Sequence, residues 1–129
     1  MDDIKGRVIY SGHVSGRVLR SDAPIGFFGH VDIKTGILKE PDHPLFGKSL
    51  AGKVLVFPHA KGSTVGSYIL YGLKKYGKAP AAMILTECEV IVAVGAIIAE
   101  IPTVDRVNIK QFSTGDQIAI HESRIRIQK

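Results

Sequence analysis

Tryptophan is absent from these 129 residues, and cysteine occurs once. The lone Cys88 closes no internal disulfide, and by itself it holds no iron–sulfur cluster, which takes about four thiolates. The five histidines (His13, His30, His43, His59 and His121) form no HxH or HxxxH pair, and no cysteine accompanies them at zinc-ligand spacing. A metal site built wholly within this chain is therefore not expected. No apolar run approaches the ~20 residues of a membrane-spanning helix, and Met1-Asp2-Asp3 does not read as the start of a signal peptide. Basic residues outnumber acidic ones 17 to 12, but they are scattered from Lys5 to Lys129, with no aromatic-interleaved basic stretch on which bases would stack. Neither nucleic acid nor membrane is an expected partner. A small anionic ligand or an acidic partner chain suits the formal charge of +5 better. The expected location is the cytoplasm.

Apolar residues make up 45% of the chain and charged residues 22%, which excludes a disordered tail. The length suits one domain over 1–129, with no repeat and no linker. Residues 4–19 are rich in β-branched side chains, and with Gly12 and Gly16 as punctuation they read as short strands paired with one another. Residues 20–52 carry Pro24, Gly26, Gly29, Gly36, Pro41, Pro44, Gly47 and Gly52, so only brief strands fit, near 31–33 and 36–38.

From Lys53 the pattern changes. Val54-Leu55-Val56-Phe57 is an apolar run of strand length ended by Pro58, consistent with burial on both faces. A loop follows, and Ser63-Thr64 offers hydroxyl caps for a helix. Val65, Tyr68, Ile69, Leu73 and Tyr76 recur at three- and four-residue spacing, which predicts an apolar stripe. Lys74 and Lys75 suit the negative end of that helix, and Gly77 with Pro80 stops it. Ala82-Met83-Ile84-Leu85 supplies the next strand of a β-α-β unit. Residues 90–99 are apolar throughout and fit strand or helix. A short strand is expected at 101–104, and 117–120 with 123–127 reads as a closing pair, Ile125 and Ile127 alternating with Arg124 and Arg126.

Chemistry concentrates in Phe57-Pro58-His59-Ala60-Lys61-Gly62-Ser63-Thr64-Val65-Gly66-Ser67, where hydroxyls, a lysine and two glycines lie between a buried strand and a helix start. Free N–H groups at a helix start attract anions, and glycines admit a ligand close to the backbone. Neither GxxxxGK[ST] nor GxGxxG fits the segment. Ser63 and Thr64 are equally read as plain helix caps. Phe27-Phe28 in a glycine-rich loop reads as core, ligand wall or partner contact.

Residues 27–32, His43-Pro44-Leu45 with Gly47, and the stretches 50–58, 62–71 and 95–102 together resemble the small subunit of the aconitase-X family. The resemblance implies an α/β fold, a β/β/α swivelling domain like the mobile domain of aconitase. It also implies a separate large subunit bearing a [4Fe-4S] cluster. The implied reaction removes water from (R)-5-phosphomevalonate, a phosphorylated hydroxy acid, to give trans-anhydromevalonate 5-phosphate in an isoprenoid-forming mevalonate route. Gly62-Ser63-Thr64 matches the aconitase loop whose serine takes the substrate proton, so Ser63 inherits the catalytic role, with Lys61, Gly62 and Thr64 as substrate-binding residues. Aconitase has an arginine where this chain has Val65, so carboxylate recognition comes from elsewhere. His30 and the pair His59-Ala60 also depart from the family's glycine- and arginine-rich forms. Competing readings are a related dehydratase acting on another hydroxy acid such as cis-3-hydroxyproline, a phosphohistidine carrier using His59, and a non-catalytic anion-binding module presenting Phe27 and Phe28.

Overall fold

A computed structural model describes residues 3–27, 29–61 and 66–128. The elements run β1 (Ile4–Lys5), β2 (Arg7–Tyr10), β3 (His13–Arg20), β4 (Val54–Phe57), α1 (Gly66–Lys75), β5 (Ala82–Leu85), α2 (Val90–Ala99), β6 (Thr103–Asp105), β7 (Gln117–His121) and β8 (Arg124–Gln128), with a 3-10 turn at Ile109–Gln111. The ladder order is β1-β8-β7-β3-β4-β5-β6-β2.

The apolar runs of β4 and β5 have no polar face, so the strands need cover on both sides. They receive it. Leu55, Phe57, Met83 and Leu85 point into one core with Leu70, Leu73, Val92 and Ala96 of the helices. Their alternates Val54, Val56, Ala82 and Ile84 point into a second core with Val107, Ile109, Phe112, Ile118, Ile120 and Ile125. The period of two along each strand thus divides one run between two cores. β3, β4, β5 and β6 are mutually parallel; α1 makes the β4–β5 crossover and α2 the β5–β6 crossover. The β7–β8 pair is the expected hairpin, with Ile125 buried.

β3 joins the two halves of the ladder. Its first residues, His13 to Arg17, pair antiparallel with β7, and Val18 to Arg20 pair parallel with β4. This corrects the expectation that the early strands pair with one another: β1 lies on β8, and β2 lies on β6. Gly16 is no boundary but sits inside β3, where an added Cβ would come within 3.3 Å of Val54 Cγ2. Among the described residues between 20 and 52 only isolated bridges form, Val31 with Leu38, Ile37 with Ser49 and Ile25 with Ala60 of the later loop. The expected strand at 101–104 forms as β6, beginning two residues later and ending one later.

The ambiguous run 90–99 is helix α2, capped by Glu100 in the left-handed region at φ 55°. α1 corrects part of the predicted stripe: Leu73 is buried and Ile69 packs against the core as expected, but its tyrosines are not buried. Gly66, Ser67, Leu70 and Leu73 are buried, whereas Tyr68, Tyr71 and Tyr76 are exposed. Small residues let the helices approach: a Cβ on Gly95 would fall 2.6 Å from Leu70 Cδ1 and 3.2 Å from Ser67 Cα. Among the described residues no helix is long and apolar enough to cross a membrane.

Candidate active site at the carboxyl ends of the parallel strands

In open parallel sheets, ligands bind beyond the carboxyl ends of the strands, and the loop that leaves β4 lies there. Pro58 O accepts N–H bonds from Thr86 and Glu87, both 3.1 Å, which ties the exits of β4 and β5 together. Residues 59–61 are then held from two sides. Ile25 N donates to His59 O and Lys61 N to Ile25 O, while Ala60 N donates to the Glu89 carboxylate at 3.0 Å. Glu89 is also the residue that opens α2. The chain is therefore anchored up to Lys61 and again from Gly66. Gly62, Ser63, Thr64 and Val65, which include the proposed base and two proposed binding residues, lie outside the described residues.

Lys61 itself is described. Its ammonium lies 2.7 Å from Glu40, whose other carboxylate oxygen accepts from Gly26 N at 3.0 Å. Burial pushes the Glu40 carboxyl up, but the Lys61 ammonium and the Gly26 N–H outweigh it and hold the group below its ordinary value. The positive charge at position 61 is thus already shared with a carboxylate. Glu40 was not singled out in the sequence, because a lone acid in a turn-rich segment carries no local signal of burial. Close by, His43 Nδ1 accepts from Leu45 N, so the proton resides on Nε2 and is donated to Pro24 O at 3.0 Å. That buried imidazole holds two turns together.

Phe27 is core: it is 2% exposed and packs edge-to-face on Phe57 with centroids 5.9 Å apart. It is withdrawn from the partner-contact reading, and Phe28 lies outside the described residues. His59 points its Nδ1 at Ala60 O, 2.8 Å away, so that nitrogen is occupied by a local backbone bond.

A second feature lies at the same edge. Asp105, fully buried at the end of β6, takes both forks of Arg7, at 2.9 and 2.7 Å, and Cys88 N at 2.8 Å. Burial raises its carboxyl, but the Arg7 bonds win and hold it below the ordinary range. The next residue, Arg106, sits at φ 60°. Its N donates to Thr86 O and the N of Val107 to Leu85 O. Arg106, Asn108 and Lys110 are exposed while Val107 and Ile109 are buried. The exposed residues line a cavity of about 590 Å³ together with Arg20, Pro58 and Thr86. This segment was missed in the sequence, although the polar–apolar alternation of 106–110 was the available signal.

Residues 3–128 match the model of the aconitase X swivel domain. The chain belongs to this family. A Methanosarcina acetivorans protein named phosphomevalonate dehydratase small subunit is 54% identical over 123 residues, covering 93% of this chain and 85% of that one. A Thermococcus kodakarensis protein of the same name is 50% identical over 117 residues, covering 91% and 88%. The crystal structure of Thermococcus kodakaraensis aconitase X in its holo form contains a chain that superposes with a TM-score of 0.97 at 45% identity, over the whole of both chains. The β/β/α swivelling architecture is thus that of the aconitase X swivel domain.

Aconitase relatives imply an iron–sulfur cluster, and the described residues of this swivel domain do not fit one. Burial, reinforced by Asp105 and Glu89, pushes the Cys88 thiol up to about 12, the opposite of what a thiolate ligand needs. Among the described residues no three His, Cys, Asp or Glu side chains converge.

One prediction concerns Glu40. Glu40→Gln keeps the shape but loses the charge, and it is expected to destabilise the swivel domain by about 1–2 kcal/mol at pH 7. The figure is held down because Lys61 is 53% exposed and water screens the pair. The folded carboxyl titrates below its ordinary 4.5, so its contribution is present above that pH and is lost as pH falls through the folded value. Urea unfolding of wild type and variant is therefore expected to differ at pH 7 and to converge in acid. A gap independent of pH would deny the ion pair its role.

Proposed function

We propose that this chain is the small subunit of a phosphomevalonate dehydratase, a hydro-lyase whose active site is completed by a large subunit. The observation that carries the reading is similarity over more than nine-tenths of the chain to small subunits that bear that name. In this reading Ser63 removes the proton beside the substrate carboxylate, and Lys61, Gly62 and Thr64 contact the substrate. The [4Fe-4S] cluster belongs to the large subunit, and the enzyme works in the cytoplasm.

The division between subunits follows from the chemistry of the base. A serine hydroxyl takes a proton from carbon only if its alkoxide is stabilised. A helix N-terminus such as that of α1 contributes at most ~2 kcal/mol, about one and a half pKa units. Lys61 adds little beyond that, since Glu40 already faces it. The remaining positive potential must come from groups outside this chain. Clamping residues 59–61 onto Ile25 and Glu89 serves the same design, because a base contributes only when its approach is fixed.

A surface for the large subunit is available. Helix α2 has no charged residue, and Val90, Val94, Ile97 and Ile98 are exposed along it. Its first turn adjoins the candidate loop through the Glu89–Ala60 bond. A large subunit that completes the site would cover this face. Ile97→Asp is expected to raise the Kd for the large subunit at least ~10-fold without lowering the stability of the isolated chain, since Ile97 is half-exposed. Titration calorimetry checks this, and unchanged affinity would move the interface elsewhere.

The function itself is tested by reconstitution. The chain mixed with its large subunit is expected to dehydrate (R)-5-phosphomevalonate, and the chain alone is expected to be inert. A cluster-loaded pair that leaves phosphomevalonate intact would overturn the reading, and turnover of a different hydroxy acid by the same pair would reassign the substrate.

A further inference from the structure

The cavity at the carboxyl ends of β4, β5 and β6 has no role in the reading above. Three cations line it (Arg20, Arg106 and Lys110) against one acid, Asp22. Arg20 is spent: its guanidinium bonds Asp22 Oδ1 at 2.6 and 3.1 Å and Phe112 O at 2.8 Å. Among the described residues neither Arg106 nor Lys110 forms a salt bridge, and the carboxylate that Arg106 acts on, Asp105, is already bound by both forks of Arg7.

Arg106 is also placed with care. At φ 60° it occupies a backbone conformation that favours glycine. Three ties impose it: Asp105 locked onto Arg7 and Cys88 N on one side, and the bonds to Thr86 O and Leu85 O on the other. An arginine at a position that favours glycine, lining a cavity, points to use of its side chain. Val107 and Ile109 anchor the segment in the second core, which leaves Arg106, Asn108 and Lys110 facing the same opening. Pro58, on the cavity wall, is joined to Ser63 by only a few residues of one loop.

We propose that this cavity is a phosphate-monoester site, with Arg106 and Lys110 as its cationic contacts and Asn108 as a neutral one. On the dehydratase reading it holds the phosphate of the substrate while the carboxylate end lies at the Ser63 loop. Arginine suits the task because its planar fork meets phosphate oxygens in pairs.

The discriminating variant is Arg106→Gly, which removes the charge and accepts the φ of 60° without strain, so the thermal midpoint is expected to be unchanged or raised. In the two-subunit enzyme it is expected to raise KM for phosphomevalonate by about 10- to 100-fold, the range for a lost charge-assisted bond, with kcat within about twofold. Arg106→Lys is expected to recover part of the loss. Independently of activity, NMR titration of the full chain with inorganic phosphate is expected to shift the amides of residues 106–110, and Arg106→Gly is expected to abolish those shifts. An unchanged KM, or phosphate shifts that are absent or survive in the variant, would overturn the proposal. If the wild-type pair fails to dehydrate phosphomevalonate while the phosphate shifts appear and vanish as described, the dehydratase reading falls and the phosphate site stands.

Discussion

Ser63→Ala in the two-subunit enzyme is expected to lower kcat by about 10³-fold, within the 10²–10⁴ range of a lost general base, while KM changes little. As the proposed base, the hydroxyl acts on a proton that moves only in the transition state, so its removal leaves ground-state binding to other groups. Two further readouts separate this role from a structural one. Exchange of the α-proton of the substrate with solvent deuterium is expected to vanish in the variant, because it needs the base and not departure of water. Association with the large subunit is expected to persist, because the apolar face of α2 is untouched. Turnover within tenfold of wild type would remove Ser63 from the reaction. Ser67, the other serine of the segment, is buried in the first turn of α1, so a parallel Thr64→Ala variant is the control for the neighbouring hydroxyl.

Gly95→Val is expected to destabilise the chain by about 3 kcal/mol, the upper end of ordinary overpacking. A glycine in a helix interior normally costs about 1 kcal/mol against alanine, so even Gly95→Ala, elsewhere a gain, is expected to destabilise here. The reason is the close α1–α2 approach. A Cβ on Gly95 meets Leu70 Cδ1 at 2.6 Å, which a side chain can relieve, but also Ser67 Cα at 3.2 Å, which only a shift of the helix relieves. Leu70 is itself fully buried, so it has nowhere to go. With total stabilities of about 5–15 kcal/mol, the valine removes a large fraction. Because α1 starts beside the candidate loop, activity is expected to fall with stability. Urea denaturation decides the matter, and a neutral or stabilising Gly95→Ala would show that the helices have room.

How far the fold was legible depended on the pattern each segment carried. β4 and β5 were readable because each is four successive apolar residues, the first ended by Pro58 and the second preceded by Gly77 and Pro80. The hairpin was readable because Ile125 and Ile127 alternate with arginines. α2 was not, because a run that is apolar at every position has no period to read. The buried face of α1 was misjudged in part for a related reason: tyrosine is amphipathic and counts as apolar on a helical wheel, so Leu73 is buried as expected while Tyr68 and Tyr76 face outward and glycine and serine face in. The candidate loop was singled out by its glycine–hydroxyl pattern and its likeness to aconitase X, and its residues 62–65 lie outside the described residues, while the ion pair of Lys61 with Glu40 joins residues too distant in sequence to be foreseen.

Composition and local pattern alone were enough to establish a β/α chain with one clear β-α-β unit and a glycine–hydroxyl loop as its candidate site; the family was legible through resemblance over most of the chain. They also left this chain without a plausible set of cluster ligands, since one cysteine makes none. Which strands neighbour one another, which helix faces meet, and that Arg106 and Lys110 share a cavity with Pro58 emerged only on folding. Those facts depend on contacts between distant segments, and the side-chain volumes that select them, such as the missing Cβ of Gly95 under Leu70, are felt only when both partners are in place.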